Sequence, residues 1–97
     1  MNDVKAIRDA IRRLHGCESA HVESVPISER FQGRTVWEGT VEVFNLTGHS
    51  KATRCYAWQH EQGAEGSRFV AVLELPPVNS ARKAVQVAVA AEARSKA

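Results

Sequence analysis

The chain has 97 residues, 43% of them hydrophobic and 25% charged, and a formal net charge of +2. That length supports one core rather than two, and the composition excludes disorder and, with only Cys17 and Cys55 available, a disulfide-dense secreted scaffold. The net charge is too small to argue for any partner, although the ends are basic (residues 2–15 carry +2, residues 67–97 carry +3) and the middle is acidic (residues 18–66 carry −3).

No apolar stretch approaches the roughly 18 to 20 residues that cross a bilayer, and the N-terminal stretch is amphipathic rather than a basic tip followed by an apolar run. A single domain over 1–97 is expected, soluble and cytoplasmic, with two reduced thiols and no membrane partner.

Val4, Ile7, Ile11 and Leu14 recur at helical spacing while Lys5, Arg8, Asp9, Arg12 and Arg13 fall elsewhere, which predicts an amphipathic helix over about 3–15. Asn2 or Asp3 can cap its start, and Gly16 can end it. Runs rich in Val, Thr, Trp, Tyr and Phe then predict strands at Thr35 to Leu46, Lys51 to His60 and Arg68 to Leu75. A weaker one at His21 to Ile27 has Pro26 marking an edge or a bulge. After Pro76-Pro77, Asn79 or Ser80 can cap a second helix over Ala81, Ala84, Val85, Ala88 and Ala91, whose small inner face leaves room for Trp37, Tyr56 and Trp58. The expected fold is α+β: an antiparallel sheet of three to four strands with N-terminal and C-terminal helices packed on one face, in the order α-β-β-β-β-α.

A tight turn at Thr47-Gly48 would set Trp37 opposite Trp58, Gly39 opposite Tyr56, Val41 opposite Arg54 and Val43 opposite Ala52, making this the core face. The other face would carry Glu38, Thr40, Glu42 and Phe44 against Ala57, Cys55, Thr53 and Lys51, and reads as solvated.

Chemistry-bearing residues are few. His15, Cys17 and His21 form an H-x-C-x3-H run that matches none of the paired spacings of zinc sites and straddles the helix stop. Cys55 is expected in ordinary sheet packing. No nucleophile elbow, zinc-protease helix or phosphate-binding loop is present, so neither a catalytic residue nor a cofactor is expected. The strand aromatics Trp37, Tyr56 and Trp58 point to the helix side and read as core rather than as a base-stacking platform.

The order of helix, antiparallel sheet and helix resembles that of the double-stranded-RNA-binding domain. That resemblance implies duplex contacts through helix faces, with Lys5, Arg8, Arg12, Arg82 and Lys83 as candidates. Those domains enter their second helix through a glycine- and lysine-rich stretch, however, where this chain has Leu75-Pro76-Pro77-Val78-Asn79-Ser80-Ala81-Arg82-Lys83 and an extra strand before it.

The expected function is therefore a non-catalytic module acting through a protein partner or as a homodimer. A nucleic-acid-binding domain is the second reading, and a small-molecule site formed by Arg54, Tyr56 and His60 between sheet and helices the third. The strand Phe69-Val70-Ala71-Val72-Leu73 is apolar at both parities. If Phe69, Ala71 and Leu73 face the core, Val70 and Val72 join Phe44, Leu46, Cys55 and Ala57 in an outer patch that a twofold axis can cover with its own copy.

Overall fold

Six elements follow one another as α1 (Val4–His15), β1 (Glu18–Phe31), β2 (Arg34–Thr47), β3 (Arg54–Glu61), β4 (Ser67–Leu73) and α2 (Ala81–Ser95) in the computed structural model. It describes residues 2–61 and 67–95, with side chains over 2–59 and 68–92. The four strands form one antiparallel sheet in the order β1-β2-β3-β4, so the α+β class and the α-β-β-β-β-α order are those read from the sequence. No helix among the described residues is long and apolar enough to cross a membrane.

Local signals set both helix starts. Asp3, extended, accepts the Ala6 N–H at 3.1 Å, and left-handed Gly16 ends α1 with its own N–H on the Arg12 carbonyl. At α2 the Ser80 hydroxyl accepts the Lys83 N–H at 3.2 Å. The first strand is far longer than expected. β1 and β2 each run 14 residues and are joined by Gln32-Gly33, both at positive φ as a type I′ turn requires. The bulge in β1 falls at Val22 rather than Pro26, because His21 pairs with Phe44 and Glu23 with Val43.

The β2–β3 register differs from the tight-turn expectation. Glu42 lies opposite Ala57, Val43 opposite Tyr56, Phe44 opposite Cys55 and Asn45 opposite Arg54, and the Leu46 N–H reaches the Thr53 carbonyl at 2.9 Å. The loop therefore has four more residues than a two-residue turn, and His49 holds it: its Nδ1 accepts the N–H groups of both Lys51 and Ala52 at 3.0 Å. A shift by an even number preserves which residues share a face. The tryptophans consequently meet without being opposite each other. Trp37 pairs with Glu29 of β1, and its indole lies along the strand over Gly39, where a Cβ would stand 3.1 Å from the ring. It meets Trp58 edge-on at a centroid distance of 5.4 Å.

The two helices pack on opposite faces of the sheet, which corrects the one-face expectation. α1 brings Ile7 and Ile11 onto Phe44, Cys55, Ala57 and Cys17. α2 brings Ala81, Ala84 and Val85 onto Ile27, Val41, Val43, Tyr56 and Trp58. The physical reason is visible in β3, where Cys55, Tyr56, Ala57 and Trp58 are all buried. A strand apolar at both parities has two faces to cover, and one helical layer covers only one.

Candidate functional site

Glu42 is a densely bonded polar group. Its face was expected to be solvated, yet α1 and the N-terminal segment leave it 5% exposed. Asn2 Nδ2 donates to Glu42 Oε2 at 2.9 Å, His21 Nε2 lies 2.9 Å from Oε1, and the Ser24 hydroxyl donates to the same oxygen. The Val22 bulge puts His21 and Ser24 on one face although they are three residues apart. Burial pushes the Glu42 carboxyl up, but the hydrogen bonds from Ser24, Asn2 and His21 outweigh it and hold the group below its ordinary value. Such a carboxylate is a weak base, and its arrangement is that of a lock between strands.

Asn2 extends that lock. Its Nδ2 also donates to the Thr40 carbonyl at 2.7 Å, its Oδ1 accepts the Gln59 N–H at 2.8 Å, and the Asp3 N–H reaches Gln59 Oε1 at 3.1 Å. Thr40 and Gln59 lie two positions beyond the Glu42 and Ala57 pair, so the Asn2 amide bridges β2 and β3 just past the end of their ladder.

The remaining polar candidates are dispersed. His15 contacts the Ala71 carbonyl through Nε2 at 3.2 Å and His21 engages Glu42, so the H-x-C-x3-H run does not converge. Cys17 and Cys55 are free thiols buried under α1, and burial, with Cys17 alongside, pushes the Cys55 thiol up to about 12, far from a working nucleophile. The five basic candidates lie on two helices on opposite faces. Arg12 pairs with Glu18 at 2.6 Å, Arg82 with Glu29 at 2.8 Å, and Arg8 donates to the Ser19 carbonyl at 3.0 Å, while Lys5 is exposed and Lys83 half-buried.

Arg54 and Tyr56 do line a cavity of about 380 Å³ with Glu23, Asn79 and Arg82, whereas the His60 side chain lies outside the described residues. The Tyr56 hydroxyl donates to Glu74, and burial followed by that bond raises its pKa to about 12.

The apolar patch does not assemble as expected. Phe44, Cys55 and Ala57 are fully buried and Leu46 is half-buried against the α1 layer, while Val70 and Val72 lie on the opposite face. Val70 pairs with Trp58 and Val72 with Tyr56, so these two valines belong to the α2 side. There α2 packs over β1 and β2, leaving beside β4 an open groove of about 500 Å³ whose walls include Trp37, Trp58, Val70, Val72, Val87 and Ala91.

The two sheet edges are finished differently. In an extended strand the N–H and C=O of one residue point to the same edge, and successive residues alternate. On β1, Arg8 from α1 occupies the Ser19 carbonyl and Arg82 from α2 the Ser28 carbonyl at 3.2 Å. Pro26, two residues before Ser28, removes an N–H from that same edge. With the bulge, these are the devices by which sheets resist strand addition. On β4 the outward positions are Phe69, Ala71 and Leu73; His15 touches the Ala71 carbonyl and the Leu75 N–H turns back to Leu73 at 2.9 Å. The five residues Phe69–Leu73 bear no charge, and all are half-buried.

Comparison with protein-family models, curated proteins and solved structures found no match.

Proposed function

We propose that this chain is a non-catalytic association module that binds protein through the β4 edge and the adjoining groove, with self-association as the form its surface favours. One observation carries the reading: a half-buried edge strand, uncharged over Phe69–Leu73, borders a mainly apolar groove, in a sheet whose other edge is guarded by arginines from both helices. An edge of this kind offers a row of main-chain donors and acceptors for affinity and alternate side chains for fit. A catalytic reading has less support, because Glu42 is consumed by its own donors and both thiols are buried. The nucleic-acid reading has less support, because its five basic residues stand on helices on opposite faces of the sheet.

Sedimentation of the whole chain from about 1 µM to several hundred µM tests this, with an expected dissociation constant on the order of micromolar, since one strand pair is a small interface. Mass should rise with concentration in the native chain and stay monomeric in Val70→Glu, with both retaining the same circular dichroism. A native chain monomeric throughout, or a Val70→Glu variant that associates as well as the native one, overturns the proposal.

A further inference from the structure

We infer that the occupant of the β4 edge is a second copy of this chain, its β4 running antiparallel to the first about a twofold axis at Ala71; this rests on the association reading above. Because outward positions pair with outward positions, three twofold registers overlap the strand well, centred on Val70, Ala71 or Val72. Centring on Val70 sets Arg68 opposite Val72 of the copy, and centring on Val72 sets it opposite Pro76. Centring on Ala71 sets Arg68 opposite Glu74, twice by symmetry, with Val70 opposite Val72 on one face and Phe69 opposite Leu73 on the other. Like therefore meets like in the middle and opposite charges meet at both ends.

The geometry of each partner suits this register. Glu74 continues the β4 line, its N–H on the Arg54 carbonyl at 2.9 Å. Arg68 is exposed at the groove. Glu74 already accepts the Tyr56 hydroxyl, but a carboxylate has further lone pairs for a guanidinium. His15 touches the Ala71 carbonyl, which keeps a second lone pair for a strand partner. On the α2 side the two grooves would join into one trough floored by Val70, Val72 and Trp58 of each copy.

Single cysteines read the register directly. In a hydrogen-bonded antiparallel pair the facing Cα atoms stand about 5.5 Å apart, within the span of a disulfide. The native Cys17 and Cys55 are buried and serve as the silent background. Ala71→Cys, Val70→Cys and Val72→Cys chains would each be oxidised mildly at a concentration where sedimentation shows dimer, and then run without reductant.

The expected result is a covalent dimer from Ala71→Cys alone, and from a mixture of Val70→Cys with Val72→Cys. Crosslinking of Val70→Cys or of Val72→Cys by itself establishes a different register and overturns the inference. A native dimer with no crosslink in any variant overturns the β4 pairing while leaving association in place. A native chain that sediments as a monomer removes both.

Discussion

β1 and β4 are the two edges of one sheet, and the longer of them is the one closed to visitors. β1 has 14 residues and meets arginines from α1 and from α2, a proline and a bulge; β4 has seven residues, five of them apolar in a row, and among the described residues its outward carbonyls meet His15 at Ala71 and the Leu75 N–H at Leu73. The difference teaches that guarding a sheet edge is the work of specific side chains reaching particular carbonyls, and that hydrophobicity alone would have marked the wrong strand as the guarded one. It also places that edge beside a groove whose floor is shared by β3 and β4.

The comparison breaks most completely if α1 is dislodged, because Arg8 and His15, which touch the two edges, both stand on it. Phe44→Ala should do this, since Phe44 is fully buried beneath Ile7 and Ile11, at a cost of about 3 to 5 kcal/mol in urea unfolding. A loss below about 1 kcal/mol would show that α1 does not form this layer.

Next in size is Glu42→Gln, expected to cost about 2 kcal/mol near neutral pH because hydrogen bonds to a charged acceptor are replaced by weaker ones. Glu42 has a folded pKa below its unfolded value, so its contribution is fully present above the unfolded value of about 4.3 and is lost as pH falls through the depressed folded one. The variant should accordingly show a flatter loss of stability below about pH 4.5 than the native chain. Parallel acid profiles in the two proteins would mean that Glu42 is not held as described.

The smallest stability effect belongs to Arg8→Ala combined with Arg82→Ala, about 1 kcal/mol or less for each half-solvated arginine. Its informative readout is mass. With the β1 carbonyls uncovered, association should strengthen and should survive Val70→Glu, since it no longer needs β4. An unchanged sedimentation profile would deny these arginines their guarding role.

Much of the fold was legible because its signals are local. The Asp3 and Gly16 ends of α1, the Ser80 start of α2 and the alternation in β2 all act within a few residues. The second helical layer was missed: the doubly apolar runs Cys55–Trp58 and Phe69–Leu73 carry its signal, but such a run suggests a bare outer face as readily as a covered one. Val70 and Val72 were singled out from that run and do line the open groove, although with Trp37 and Trp58 as neighbours rather than Phe44 and Cys55.

Other features had no local mark. Asn2 meets Gln59 across 57 positions, and His49 lengthens its loop by a side-chain contact that no turn signature encodes. Arg8 and Arg82 stood out by charge, which suggests phosphate as readily as the strand carbonyls they reach.

The bulge at Val22 has a further consequence. His21 and Glu23 already occupy successive ladder positions, opposite Phe44 and Val43, so Val22, 44% exposed, is a residue the ladder does not count. Removing it would leave each β1 residue opposite its present partner and on its present face, whereas removing a residue from the regular ladder away from the bulge would turn the strand over on one side of the cut. β1 thus contains a slack link: one point at which chain length is free to change by a single residue while the sheet keeps its reading frame.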